Sequence, residues 1–70
     1  MGSKIQAILF NKNYYTLQSA SKWIYEHNFK PIKYHITEHM IRFRLYNPSL
    51  FKKFRTKKTK ENIDFIIGFY

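Results

Sequence analysis

Lys52-Lys53-Phe54-Arg55-Thr56-Lys57-Lys58-Thr59-Lys60 is the segment of this chain with the most distinctive chemistry. Six of its nine residues are cationic. Like charges packed this closely repel one another unless a polyanion accepts them. A phosphate backbone is such a partner, and release of its counterions makes binding favourable and salt-sensitive. Thr56 and Thr59 add hydroxyls that can reach phosphate. Two other readings compete: a solvated loop kept basic for solubility, and an import-like patch recognised by a protein. The run therefore nominates Lys52, Lys53, Arg55, Lys57, Lys58 and Lys60 as nucleic-acid-binding residues.

A second set is predicted from strand parity. Ile32, Tyr34 and Ile36 alternate with Lys33 and His35, and Ile41, Phe43 and Leu45 alternate with Arg42 and Arg44. If these two segments are neighbouring strands, Lys33, Arg42 and Arg44 project from one sheet face. Arginines on a sheet can pair with phosphates bidentately or stack on bases. A solvated face of an antiparallel sheet is the competing explanation. Tyr14, Tyr15, Tyr25 and Tyr34 are further stacking candidates, but no Lys/Arg-Gly-aromatic strand motif of the RNA-recognition type accompanies them. Core or dimer contacts are the expectation for most of these rings.

Catalytic chemistry finds little footing. His35-Ile36-Thr37-Glu38-His39 matches H-x-x-E-H, a zinc-protease pattern that works only on a helix. Here it falls between alternating strands, so ordinary surface histidines are expected, and no metal or cofactor. The carboxylates Glu26, Glu38, Glu61 and Asp64 show no spacing suited to acid–base work. Glu61 and Asp64 are expected to offset neighbouring lysines. There is no phosphate-cradling glycine loop and no nucleophile elbow. The expectation is that the protein is not an enzyme.

Length and composition agree. Seventy residues carry 13 Lys plus Arg against 4 Asp plus Glu, a formal net charge of +9. That is one domain, residues 1–70, with no core to spare for a large cleft. Absence of cysteine excludes a disulfide framework and thiolate metal sites and fits a reducing compartment. A hydrophobic share of 44% is too high for a disordered basic tail, and the 20% aromatic share lets a small core be dense. The apolar stretches Ala7 to Phe10 and Phe65 to Tyr70 fall far short of the ~20 residues of a membrane span, so no membrane partner is expected. The opening Met1-Gly2-Ser3 carries no functional weight; residues 1–3 are expected to be flexible or tag-derived.

The elements follow from periodicity. Ile5 to Phe10 is predicted as a strand and Asn11-Lys12-Asn13 as a turn. Thr16 is an N-cap for a helix over Leu17 to His27, with Asn28 left-handed at its end, Phe29 as the closing apolar contact and Pro31 forbidding continuation. Ile32 to Ile36 and Ile41 to Tyr46 form a hairpin. Asn47-Pro48-Ser49 starts one helical turn, Arg55 to Lys60 is a basic loop, and Ile63 to Phe69 is the last strand. The predicted fold is α+β, β-α-β-β-β, one helix on a four-stranded, mostly antiparallel sheet. Trp23, Ile24, Ile5, Leu9, Phe43, Leu45, Phe65 and Ile67 are the expected core. Domains this small are often stabilised by association, and an apolar C-terminal strand at a sheet edge would invite a second copy. A homodimer is expected.

Several of these residues taken together carry a resemblance. Thr16-Leu17 with Ala20, Trp23-Ile24, His27 and Phe29-Lys30-Pro31, followed by Arg42-Phe43-Arg44, Phe54-Arg55-Thr56 and Ile66-Ile67-Gly68, resemble a small virus-restricted domain of the Marseilleviridae, giant DNA viruses of amoebae. They are more loosely similar to a domain of tailed-phage proteins. The resemblance runs from Ile5 to Tyr70. The phage-like pattern approaches its Arg-Phe-Arg strand through more acidic residues than Ile36-Thr37-Glu38-His39-Met40, so phage-specific roles do not carry over. The resemblance implies a short, abundant, basic viral protein acting at the cytoplasmic viral factory, with transient nuclear presence, or packaged in the virion. It makes Arg42, Arg44 and Arg55 better candidates than isolated surface cations. The expected function is binding of nucleic acid, DNA favoured, without strong sequence specificity. The alternative is an adaptor that recruits host nuclear proteins through its basic and aromatic surface.

Overall fold

A computed structural model describes residues 2–70. The chain runs β1 (Ser3–Asn11), α1 (Leu17–Glu26), β2 (Lys33–Ile36), β3 (Met40–Arg44), a 3-10 turn (Pro48–Leu50), β4 (Lys53–Lys58) and β5 (Ile63–Phe69). The strands form one five-stranded sheet in the order β2-β3-β1-β5-β4, and every neighbouring pair is antiparallel. The fold is α+β, β-α-β-β-β-β. The predicted sheet was one strand short: the segment expected as a basic loop is strand β4. In Lys53-Phe54-Arg55-Thr56-Lys57, Phe54 and Thr56 alternate with cations, and β5 needs partners for its outer backbone groups. For the same reason β5 is not an edge. It lies between β1 and β4, which accounts for its nearly continuous apolar sequence.

The helix forms where its caps dictate. Thr16 Oγ1 accepts a hydrogen bond from the Ser19 amide, and Ser19 Oγ accepts one from the Thr16 amide, a reciprocal capping box. At the other end Asn28 is left-handed with φ 61°. Its amide donates to the Tyr25 carbonyl and the Phe29 amide to the Ile24 carbonyl, which satisfies carbonyls the last turn would otherwise orphan. Between the caps, Ala20 and Ile24 point into the core.

The core fills the space between α1 and one sheet face. Ile8 and Phe10 of β1, Ile41 and Phe43 of β3, Ile63 of β5, and Leu45 are buried there with Ala20 and Ile24. Phe10 is its centre. Its ring meets Tyr15, Trp23 and Phe43 edge-on at centroid distances of 5.0, 5.6 and 5.6 Å. Of the predicted core, Ile24, Phe43 and Leu45 are buried, while Ile5, Trp23 and Phe65 pack half-buried against the same cluster.

Leu9 lies on the opposite face, and a β-bulge explains why. Ile5 pairs with Ile67 and Ala7 with Ile66, so Gln6 is an extra residue in β1. Strict alternation would put Ile5 and Leu9 on one face. The extra residue reverses parity and sends Ile8 and Phe10 to the helix with Ile5. Gln6 is buried, and its polar groups are used: Nε2 donates to the Tyr46 carbonyl at 2.8 Å, and the Leu45 amide donates to the Gln6 carbonyl at 2.8 Å.

Candidate nucleic-acid interface

The sheet face away from α1 is not covered by a second layer. Strand register places its side chains in rows that cross all five strands. One row reads Lys33, Arg44, Ala7, Ile66, Thr56 and the next His35, Arg42, Leu9, Asp64, Lys58, from β2 to β4. At about 4.8 Å between strands, each row spans roughly 19 Å. Between the ends Ala7 is fully buried and Leu9 and Ile66 are half-buried, with the Asp64 carboxylate next to Lys58. Cations stand at both sides: Lys33, Arg42 and Arg44 on one, Lys58 on the other. The sequence-predicted trio Lys33, Arg42 and Arg44 thus shares a face.

The basic run does not act as a block. Alternation along β4 divides it, because Lys53, Arg55 and Lys57 pair with Phe69, Ile67 and Phe65 on the helix side, whereas Thr56 and Lys58 belong to the open face. Lys52 precedes the strand and donates its amide to the Phe69 carbonyl at 2.8 Å. Lys60 sits in the β4–β5 turn. Thr59, a candidate phosphate contact, is occupied there: its hydroxyl donates to the Ile63 carbonyl at 2.7 Å. Positive charge therefore wraps the β4 edge and continues onto the open face.

Edge strands commonly carry lysine to prevent pairing with another sheet, and β4 is an edge. That explanation does not reach Arg42 and Arg44, because β3 lies inside the sheet between β2 and β1. Among the described residues the one contact within 4.0 Å between a basic side chain and a carboxylate joins His39 to Glu38, at 3.9 Å and highly exposed. Glu61 and Asp64 were expected to offset the lysines; neither forms such a pair. Arg42 Nε is buried and has no hydrogen-bond partner among the described residues.

The 3-10 turn shapes one end of the open face. Asn47 caps it, accepting from the Ser49 amide at 3.0 Å, and Pro48 opens it. The turn sets the Phe51 ring directly on Gly68 of β5. A Cβ at Gly68 would overlap that ring, so the close approach needs glycine. Phe51 in turn holds Phe54 edge-on at 5.9 Å and packs against Tyr46 and Tyr70. The result is an open trough of about 310 Å³ lined by Gln6, Arg42, Arg44, Pro48, Phe54, Thr56 and Ile66. Phe54 is 44% exposed and forms one wall. Sequence reasoning gave Phe54 and Pro48 no part in a site. The signal was present in Phe54 as the single aromatic inside the basic run, and it becomes readable once β4 is recognised as a strand.

Other candidates lie elsewhere. Tyr14 and Tyr25 are exposed rather than in the core, and Tyr15 packs on Phe10 with its hydroxyl donating to the Glu61 carbonyl at 2.9 Å. The H-x-x-E-H residues occupy β2 and the β2–β3 hairpin, not a helix. Among the described residues no cluster of three His, Cys, Asp or Glu is placed to share a metal ion, and no helix is long and apolar enough to cross a membrane. No family model, curated protein or solved structure matches the chain.

Proposed function

We propose that this chain is a nucleic-acid-binding domain that grips the phosphate backbone without strong sequence preference. The observation that carries the reading is the pair of arginines on interior strand β3, beside Lys33 and across from Lys58, on an open face where none of these cations has a carboxylate partner within 4.0 Å. Such groups position a nucleic acid through its phosphates and carry no base information themselves. Lys53, Arg55 and Lys57 on the other side of β4 add long-range attraction. The viral factory or virion as its setting rests on the resemblance of the residues quoted above and on nothing in the fold.

Fluorescence anisotropy against a short random duplex across a salt series tests the reading. Four phosphate contacts predict a log–log slope of about −4, and seven a slope of about −6. Absence of binding at near-physiological salt to both this duplex and a single strand of the same sequence, or a slope near zero, would end it. A flat salt response with an aromatic-anchored protein partner is the behaviour expected of a recruitment adaptor instead.

We also propose that two copies pair through β2. The two sheet edges differ in kind. β4 bears Lys53, Arg55, Lys57 and Lys58, which would repel their own copies across a two-fold axis. The β2 edge shows Tyr34 and Ile36, each at least half exposed and on the helix side, with exposed Ile32 just before the strand. Antiparallel pairing about Tyr34 sets Tyr34 against its own copy, in one continuous sheet with both open faces on the same side. Light scattering at micromolar concentration is expected to give twice the 8.6 kDa chain mass, and Ile36→Lys the single mass. A wild-type monomer would refute the pairing.

A further inference from the structure

We propose that the open face takes an unpaired, single-stranded segment, with one base seated against Phe54 in the trough; this rests on the nucleic-acid reading above. The trough supplies what a base needs and a duplex cannot use. Its volume of about 310 Å³ is at the lower end of small-ligand pockets. It admits one flat ring system and excludes a double helix. Phe54, 44% exposed, lines it and is held edge-on by Phe51. Ile66 and Pro48 add apolar lining, and Arg42 and Arg44 add positive charge.

The polar groups fit the same ligand. Thr56 offers a hydroxyl beside the Phe54 wall. Arg42 and Arg44 bring guanidinium donors to the same trough, and Arg42 Nε is buried without a hydrogen-bond partner among the described residues. Outside the trough, Lys33 and Lys58 stand at either end of the rows to meet the flanking phosphates. A duplex presents its phosphates and groove edges, with its base faces already stacked. It would touch the rim cations and leave both Phe54 and the apolar centre of the sheet uncovered. A single strand can cover both, by the stacking-plus-charge design of sequence-tolerant single-strand binders.

The test compares oligothymidylate with a duplex carrying the same number of phosphates, at one salt concentration, for the wild-type chain and Phe54→Leu. Leucine keeps an apolar contact for Phe51 and removes the π-face. The expected result is tighter binding of the single strand. Phe54→Leu should weaken that binding roughly tenfold and leave duplex affinity unchanged. Should the variant unfold, the wild-type chain decides alone: an oligonucleotide carrying 2-aminopurine is expected to change its fluorescence on binding as the base leaves its neighbours for the ring. Equal affinity for both ligands, with Phe54→Leu silent or 2-aminopurine unmoved, would overturn the base seat while the phosphate-binding reading stood. Failure of both ligands to bind would overturn both readings.

Discussion

Phe10→Ala is expected to leave the chain unfolded, or nearly so, at room temperature. Phe10 is fully buried at the centre of the helix–sheet core, where its ring meets Tyr15, Trp23 and Phe43 edge-on. Truncating a buried Phe removes about 3–5 kcal/mol through lost transfer free energy and the cavity left behind. At about 0.05–0.15 kcal/mol per residue, a chain of this length holds roughly 3.5–10 kcal/mol in all. The loss is therefore comparable to the whole reserve. Collapse around the gap is also restricted, because Phe10 stands on the central strand with neighbours paired on both sides. Urea denaturation followed by emission of Trp23, whose ring is 5.6 Å from that of Phe10, measures the effect directly. Leu9→Ala is the matched comparison. Leu9 follows the bulge on the open face and is half-buried, so the same strand should survive its loss. A Phe10→Ala chain as stable as Leu9→Ala would mean that β1 parity has been assigned the wrong way round.

That parity also shows what the sequence made legible and what it hid. The helix was readable because its signals are local. Thr16, Asn28 and Pro31 each act within one turn of the chain, and Asn28 indeed takes the left-handed backbone at φ 61°. The alternation of Ile41, Arg42, Phe43, Arg44 and Leu45 was readable because β3 has no bulge, and it placed Arg42 and Arg44 correctly beside Lys33. Strand β1 was misread at one residue. A bulge at Gln6 leaves no mark in hydropathy, and the partners that satisfy it, Leu45 and Tyr46, lie about forty positions away. Strand β4 was hidden by charge. Cations at nearly every other position suggest a loop until β5 is seen to need a partner, and tertiary pairing outweighs local propensity there. Phe54 stood out as the single aromatic of the basic run, but the trough beside it was hidden, because it depends on Phe51 lying on Gly68 across a turn and a strand.

Dividing the basic run between two faces has a consequence that net charge alone does not predict. Consider two triple variants, Arg42→Gln with Arg44→Gln and Lys58→Gln on the open face, and Lys53→Gln with Arg55→Gln and Lys57→Gln on the helix side of β4. Each lowers the formal net charge from +9 by three, to +6. A ligand held by the protein's overall field would respond equally to both. A ligand in contact with the open face would not. The first variant removes three phosphate contacts, which should make the duplex salt slope shallower by about 2.7 and the single-strand slope by about 2. At moderate salt the affinity should fall by about a hundredfold, since each charge-assisted hydrogen bond contributes about 1.5–3 kcal/mol before solvent screening reduces it. The second variant removes charges more than a strand's thickness from the contact, within roughly one Debye length, ~10 Å at 0.1 M salt. It should slow association and weaken binding a few-fold while leaving the slope nearly intact. Both triples replace exposed or half-exposed side chains with glutamine, so circular dichroism should remain that of the wild-type chain. Equal losses in the two variants would reduce the basic residues to an unlocalised field. A larger loss in the second would move the interface around β4 to the helix side, where Ile67 and Phe69 lie half-buried beside Arg55 and Lys53, and would leave Arg42 and Arg44, on a strand that is not an edge, without a role that edge protection could supply.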